Sequence, residues 1–257
     1  GFRSYNDQLL DAMTFFKKNQ KNIPRFEHLL VDEYQDVNPS QIELLNILNP
    51  PNLFVVGDPR QSIFGWRGSD VKEIVQFPEK NPESEIIFLT KNYRSTQCIV
   101  EFMNYSMKHT PFPDLESIFP PKNELHLYAF SSEEAETQFV VEKIKELDPK
   151  QQRIFVLART NKQLNNFPSL FKQTNIPFFI KKEDDFYENK QGEVILSTIH
   201  AIKGLESDAV FVIGCNEQHF PCKYSDHPII DLLKLNSYDK IEEEKRLFYV
   251  AISRARE

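Results

Sequence analysis

Glycine is scarce in this chain. Only seven of its 257 residues are glycine, at positions 1, 57, 65, 68, 192, 204 and 214. Neither G-x-x-x-x-G-K-[ST] nor G-x-G-x-x-G can be written with them, so two common glycine-rich phosphate cradles are absent from these residues. Cysteine is scarcer still. Cys98, Cys215 and Cys222 are an odd set without a C-x-x-C pair, which argues against a disulfide framework and suits a reducing compartment. Long apolar runs are also missing. None approaches the roughly 20 residues that cross a bilayer, and the N-terminus lacks a charged-then-apolar leader pattern. No membrane segment and a soluble, cytoplasmic protein are expected. Positive charge is not in excess either: 31 Lys and Arg stand against 38 Asp and Glu, for a formal net charge of −7. That balance gives no general attraction to nucleic acid, although a local basic groove can still bind one.

What is present is enough to fill real cores. The hydrophobic fraction is 40%, with 22 phenylalanines, and the length suits one large domain or two of roughly 100–150 residues. Short apolar runs recur and stop abruptly at polar residues. They are His28–Val31 before Asp32-Glu33, Leu53–Val56 before Gly57-Asp58, Ile86–Leu89, Ile154–Leu157, Val194–Leu196 before Ser197-Thr198, and Ala209–Ile213 before Gly214. Continuous β-branched and aromatic runs of this length predict strands buried on both faces, hence parallel sheets flanked by helices. Between them, Asn38-Pro39-Ser40-Gln41 predicts a helix start, with Asn38 as cap, Pro39 in the first position and Gln41 completing a capping box. Asn49-Pro50-Pro51 stops that helix. Further helices are expected at 133–147, at 161–172 and from about 241 to the end. The proline-dense stretch 111–121 reads as a connection.

In parallel α/β sheets, ligands bind beyond the carboxyl ends of the strands. Asp32, Glu33 and Asp58 stand at such ends. Carboxylates there can hold Mg²⁺ and take a proton from water, although the same pair also occurs as a solvated helix-capping turn. Trp66, flanked by Gly65 and Gly68 and next to Arg67, suits stacking on an unpaired base; a lone tryptophan is also a common core residue. Arg94 and Arg254 taken singly could be surface arginines, Arg246 could pair with Glu242 along a helix, and His200 could be a satisfied structural histidine. Cys215, His219, Cys222 and His227 are the right ligand types for zinc, at a spacing that fits no standard finger.

Three stretches in order, Val31-Asp-Glu-Tyr-Gln-Asp-Val-Asn38, Gly57-Asp-Pro-Arg-Gln-Ser-Ile-Phe-Gly-Trp-Arg-Gly-Ser-Asp70 and Asn92-Tyr-Arg-Ser95, resemble the second, third and fourth motifs of the UvrD/Rep group of superfamily 1 DNA helicases. Ser197-Thr-Ile-His-Ala-Ile-Lys-Gly-Leu-Glu206 resembles the fifth, and Glu242 to Arg256 the sixth. The resemblance implies a P-loop NTPase-type fold of two RecA-like α/β units. These would be the end of a helical insert at 1–25, an incomplete first unit at 26–110, the connection at 111–121, and a second unit at 122–257.

The resemblance also implies roles. Asp32 would bind the Mg²⁺ of Mg-ATP, Glu33 would activate water, and Gln61 would sense the γ-phosphate. Arg94 and Arg254 would be arginine fingers, for which a planar and permanently charged guanidinium is suited. Tyr93 would stack on adenine and Glu206 would accept from the ribose. Phe64, Trp66, Arg67, Thr198 and His200 would grip single-stranded DNA. The Gly214–Pro221 stretch resembles the loop that follows the fifth motif, which weakens the zinc reading.

The chain departs from the family pattern in several places. The Walker A loop and the adenine-reading segment would lie upstream of Gly1, so the chain is expected to be a fragment that neither binds ATP tightly nor hydrolyses it alone. No room exists between the fourth and fifth motifs for a large accessory subdomain. Ser207 stands where an aromatic residue is usual, and Phe64 replaces a tyrosine. The function implied is part of an ATP-dependent 3′–5′ single-stranded DNA translocase or helicase, nucleoid-associated, with repair or recombination proteins as partners. A degenerate, non-catalytic DNA-binding or protein-interaction module is the alternative from another class, and the helicase part of a nuclease–helicase subunit is a further one.

Overall fold

The structure, a computed structural model, describes residues 3–121, 125–183, 185–187, 192–221 and 239–256. The chain forms two compact units, Gly1–Ile86 and Ile87–Glu257. Both are mixed α/β with parallel strands, as the apolar runs predict.

The first unit opens with α1 (Tyr5–Lys18), capped by Ser4: its hydroxyl accepts from the Asp7 amide while the Asp7 carboxylate accepts from the Ser4 amide. The expected helix after Asn38 is α2 (Pro39–Leu48). Asn38 Oδ1 accepts from the Gln41 amide at 3.0 Å, Gln41 Oε1 accepts from the Asn38 amide at 2.9 Å, and Asn49 ends the helix in the left-handed region. Lys17 pairs with Glu43, tying the two helices together. Between them in sequence lies β1 (His28–Val31), and after them β2 (Asn52–Val55), paired in parallel from His28↔Asn52 to Val31↔Val55. The alternate residues Leu29, Val31, Leu53 and Val55 are half-buried, whereas Leu30 and Phe54 on the opposite face are 71% and 57% exposed. Burial on both faces, expected from the apolar runs, is thus realised on one face only. Two short helices, α3 (Lys72–Val75) and α4 (Phe77–Lys80), come later in the unit.

Ile86–Leu89 is not a strand, contrary to expectation, and Leu89 is 82% exposed. Its composition supplies β-propensity, but a strand also needs a neighbour for its amides and carbonyls. The pairing begins just beyond, where β3 (Lys91–Asn92) runs parallel to β4 (Glu116–Ser117).

The second unit is built on a four-stranded parallel sheet in the order β6-β7-β5-β8, comprising β5 (Ile154–Ala158), β6 (Phe178–Lys181), β7 (Val194–Thr198) and β8 (Ala209–Val212). The central strand β5 is buried along its whole length. Val140, Val141 and Ile144 of α6 (Glu133–Glu146) pack with Ile154, Val156, Val194 and Leu196 of the sheet, and so do Phe167 and Phe171 of α7 (Phe167–Gln173). The helix expected at 161–172 is divided. Thr160 and Gln163 close a capping box around a 3₁₀ turn at Asn161–Leu164, and Pro168, which has no amide proton to donate, sits in the first turn of α7.

A second cluster joins α5 (Gln97–Ser106) to the last helix, α8 (Lys240–Ile252), through Ile99, Met103, Met107, Tyr249 and Ile252. This packing groups residues 87–110 with the later part of the chain. The boundary therefore falls between Ile86 and Ile87, earlier than the proline-dense stretch at which the sequence reading puts it.

Phe171→Ala should cost roughly 3–5 kcal/mol in urea unfolding because its ring is fully buried. Phe54→Ala should cost about 1 kcal/mol or less; equal losses at the two positions would contradict the one-sided burial of β2.

Candidate functional site

In the first unit, the carboxyl ends of β1 and β2 bring two acidic turns together. The chain leaves β1 through Asp32 and enters a left-handed conformation at Glu33 (φ 50°, ψ 40°). The Glu33 amide donates to Asp32 Oδ1 at 2.8 Å. Both carboxylates are exposed. Mg²⁺ is commonly held by one or two carboxylates together with water and phosphate oxygens, and these two exposed side chains fit that donor set. The turn is fixed to β2 by the Tyr34 amide donating to the Val56 carbonyl at 2.9 Å.

The second turn follows β2. Asp58 caps a 3₁₀ turn over Pro59–Gln61; its carboxylate accepts from the Arg60 amide (3.0 Å), Arg60 Nε (2.9 Å) and Gln61 Nε2 (3.1 Å). Gly57 stands where its neighbours crowd the backbone. A Cβ there would lie 2.8 Å from Ile74 Cδ1 and closer still to Gln35 Oε1. Beyond it, fully buried Ile63 anchors a 3₁₀ turn over Gly65–Arg67 that closes at Gly68 (φ 90°). The Arg67 guanidinium stands over both aromatic rings, 5.1 Å from the Phe64 centroid and 4.6 Å from the Trp66 centroid. Trp66 is 45% exposed. The turn thus presents a cation over two π-faces at the surface, an arrangement that suits stacked bases and phosphates.

In the second unit, three segments far apart in sequence meet at Glu206. Arg94 Nε donates to Glu206 Oε2 at 2.7 Å, and Arg256 pairs with the other carboxylate oxygen. Arg94 also donates to the Ser253 carbonyl at 3.0 Å. Backbone bonds reinforce the junction: the Ser207 amide donates to the Arg254 carbonyl and the Arg256 amide to the Ser207 carbonyl, both at 2.9 Å. Ser95 Oγ donates to the Ala255 carbonyl at 2.6 Å. Asn92 shapes the approach, since its Oδ1 accepts from the amides of Arg94 and Ser95. At the other end of β5, just past its carboxyl end, Arg159 grips buried Glu244 of α8 through both of its oxygens.

Burial pushes the Glu206 carboxyl upward, but the Arg256 hydrogen bond and the charges of Arg94 and Arg256 outweigh it and hold the group below its ordinary value of 4.5. Asp208 behaves alike, with burial outweighed by the Arg153 amide and guanidinium.

The expected site residues thus fall into separate groups. Asp32, Glu33, Gln61, Phe64, Trp66 and Arg67 all lie in the first unit. Arg94 and Glu206 pair in the second, with Tyr93 exposed next to Arg94. Thr198 ends β7, where its Oγ1 accepts from the Ala201 amide, and half-buried His200 lies in the following turn.

Arg254 differs from the others. It is only 2% exposed, donating to the carbonyls of Val250 and Leu205 and to Ser253 Oγ. The guanidinium beside Glu206 on this segment is that of Arg256, which sequence reasoning passed over because the motif match assigns the finger two residues earlier. Buried Gln35 was missed as well, since a glutamine within an acidic motif carries no signal of burial. Cys222 and His227 lie outside the described residues, and among the described residues no group of three or more His, Cys, Asp and Glu side chains could hold a metal ion. No helix of the described residues is long and apolar enough to cross a membrane.

Comparison with known proteins gives two matches that together cover nearly the whole chain. Residues 3–82 match the UvrD/REP helicase N-terminal domain, and residues 87–191 and 188–257 the UvrD-like helicase C-terminal domain. The division between the two falls where the structure divides. Among similar proteins, "ATP-dependent DNA helicase PcrA" of Staphylococcus epidermidis is 31% identical over 216 residues, 79% of this chain and 30% of the relative. The protein of that name from Staphylococcus aureus gives the same figures. The chain therefore spans about a third of the length of these relatives.

Two measurements check this geometry. A depressed carboxyl contributes stability that is complete above roughly pH 5 and is lost as pH falls through its folded value. Glu206→Gln should therefore flatten the acid limb of the unfolding midpoint against pH, and an unchanged limb would contradict the clamp. Gly57→Ala should destabilise the first unit by roughly 1–3 kcal/mol, because the new methyl group overlaps Gln35 and Ile74; neutrality in urea unfolding would contradict the close approach.

Proposed function

Because the chain belongs to the UvrD/REP helicase family, we propose that it is part of an ATP-dependent DNA helicase that moves along single-stranded DNA in the 3′ to 5′ direction. The observation that carries this reading is the convergence of Arg94, Glu206 and Arg256 from three separate motifs on one cluster. It is supported by the acidic turns and aromatic loop that share the first unit.

In this reading Asp32 holds the Mg²⁺ that accompanies ATP, and bound Mg²⁺ neutralises charge on the phosphate oxygens. Glu33 takes the proton of the attacking water. Gln61 reports the presence of the γ-phosphate, released for that task from Asp58. Tyr93 offers an exposed ring to adenine and Glu206 a carboxylate oxygen to the ribose.

Arg94 stabilises charge on the transferring phosphoryl group. Its ion pair with Glu206 must open for it to do so, so nucleotide arrival exchanges one anionic partner for another. Arg254 serves as the second finger when the turn after α8 releases it from Val250 and Leu205. On the first unit Phe64, Trp66 and Arg67 hold bases and phosphates, and on the second Thr198 and His200 contact the strand.

The 257 residues contain no glycine-rich phosphate loop with its lysine, and the amides and cation that such a loop aims at the β- and γ-phosphates supply most of the affinity for Mg-ATP. We therefore expect no appreciable hydrolysis by this chain on its own. The full-length gene product should hydrolyse ATP faster with single-stranded DNA present and lose that activity on Glu33→Gln. Turnover by the 257-residue chain would refute the first statement, and an unaffected Glu33→Gln variant the second.

Single-stranded DNA affinity should fall about tenfold on Trp66→Ala, given roughly 1–3 kcal/mol per stacked base, and should weaken as salt rises. Indifference of binding to Trp66→Ala would sink the DNA assignment of this loop.

A further inference from the structure

We propose that Gln35 is a positioning residue: its buried carboxamide orients the Glu33 carboxylate and ties it to the Gly57–Asp58 turn that leads to Gln61 and the Phe64–Trp66–Arg67 loop. The inference rests on the reading of Glu33 as the base.

Gln35 is 1% exposed, and both ends of its side-chain amide and its backbone carbonyl have definite partners. Its Nε2 donates to Glu33 Oε2 at 2.5 Å and, at 3.5 Å, to Asp36 Oδ2. Its Oε1 accepts from the Asp58 amide at 3.1 Å, across 23 positions of sequence, and its carbonyl accepts from Ser62 Oγ at 3.0 Å. One side chain therefore links the turn that carries the base to the turn that carries the γ-phosphate sensor.

The surroundings are built for this link. Gly57 leaves room for Oε1, since any Cβ there would overlap it. The left-handed backbone at Glu33 is a conformation that non-glycine residues adopt at some cost, and such positions persist where neighbours fix them. With its backbone so constrained, the Glu33 side chain has an amide donor that fixes one carboxylate oxygen and leaves the other available.

Two physical consequences follow. A buried amide cannot turn away from a partner without leaving a donor or acceptor unsatisfied, so displacement of the Asp58 turn is passed to the Glu33 carboxylate. Misplacing a reacting group by about 1 Å can cost on the order of 100-fold in rate. DNA contact at the aromatic loop and alignment of the base thus share one mechanical element.

The test compares Gln35→Met, which removes donor and acceptor, with Gln35→Glu, which keeps an acceptor for Asp58 and replaces the neutral donor to Glu33 by a carboxyl that repels it. DNA-stimulated ATP hydrolysis by the full-length gene product is the readout, with Glu33→Gln as control. Both Gln35 variants should lower kcat by about tenfold or more with KM for Mg-ATP changed by less than about threefold, the pattern of a lost transition-state alignment. The stimulation factor by DNA should fall further in Gln35→Met, since only that change cuts the tie to Asp58.

A kcat within about twofold of wild type in Gln35→Glu, or a loss carried mainly by KM, overturns the proposal; should Gln35→Met fail to fold, Gln35→Glu decides by the same criterion. If Glu33→Gln leaves hydrolysis intact, the reading of Glu33 falls and takes this inference with it. If Glu33→Gln abolishes hydrolysis while the Gln35 variants do not impair it, the positioning role alone is wrong.

Discussion

The ion pair of Glu206 with Arg94 and Arg256 is the constraint on which the second unit turns. Three segments that are remote in sequence end on one carboxylate, and the backbone bonds of Ser207 with Arg254 and Arg256 keep them in register. At the carboxyl end of β5, away from that cluster, Arg159 fixes Glu244 and hence α8. The cluster is partly open to solvent, so its charges are available to an incoming anion. A polyphosphate would compete with Glu206 for Arg94, and Arg256 would remain to neutralise the carboxylate left behind. Stability and the proposed function in this unit therefore draw on the same guanidinium groups, as electrostatic sites of this kind often require.

The first unit relies on a neutral link in place of a charged one. Its two-stranded sheet gives little mass to hold the acidic turns, and one face of β1 and β2 remains exposed at Leu30 and Phe54. The turns are held instead by backbone bonds of Tyr34 and Val56 to the strands and by the Gln35 carboxamide between them. Gly57 permits that approach, and Asp58 then organises Arg60 and Gln61. Geometry set at the strand ends is in this way carried to the aromatic loop.

Local features were legible in the sequence. Asn38, Pro39 and Gln41 define the start of α2 because capping is decided within a few residues. The buried runs of β5 and β7 were equally plain, since their composition leaves no polar face. Motif order pointed to the acidic turns, to Trp66 and to Arg94 and Glu206 as separate nucleotide contacts, but not to their pairing. What was not legible depends on distant partners. Ile86–Leu89 has the composition of a strand and pairs with none among the described residues, and residues 87–110 join the later unit through helix packing that no periodicity announces. Similarly, two arginines two residues apart look interchangeable in sequence, yet Arg254 is turned inward and Arg256 reaches Glu206.

Movement along DNA driven by ATP is the proposed property that would join these observations. It is measured most directly by following arrival of the full-length gene product at a fluorophore on the 5′ end of single-stranded DNA of increasing length. The account predicts an ATP-dependent lag that grows in proportion to strand length, and no such lag when the fluorophore is moved to the 3′ end. DNA-stimulated hydrolysis with a lag independent of length would contradict it.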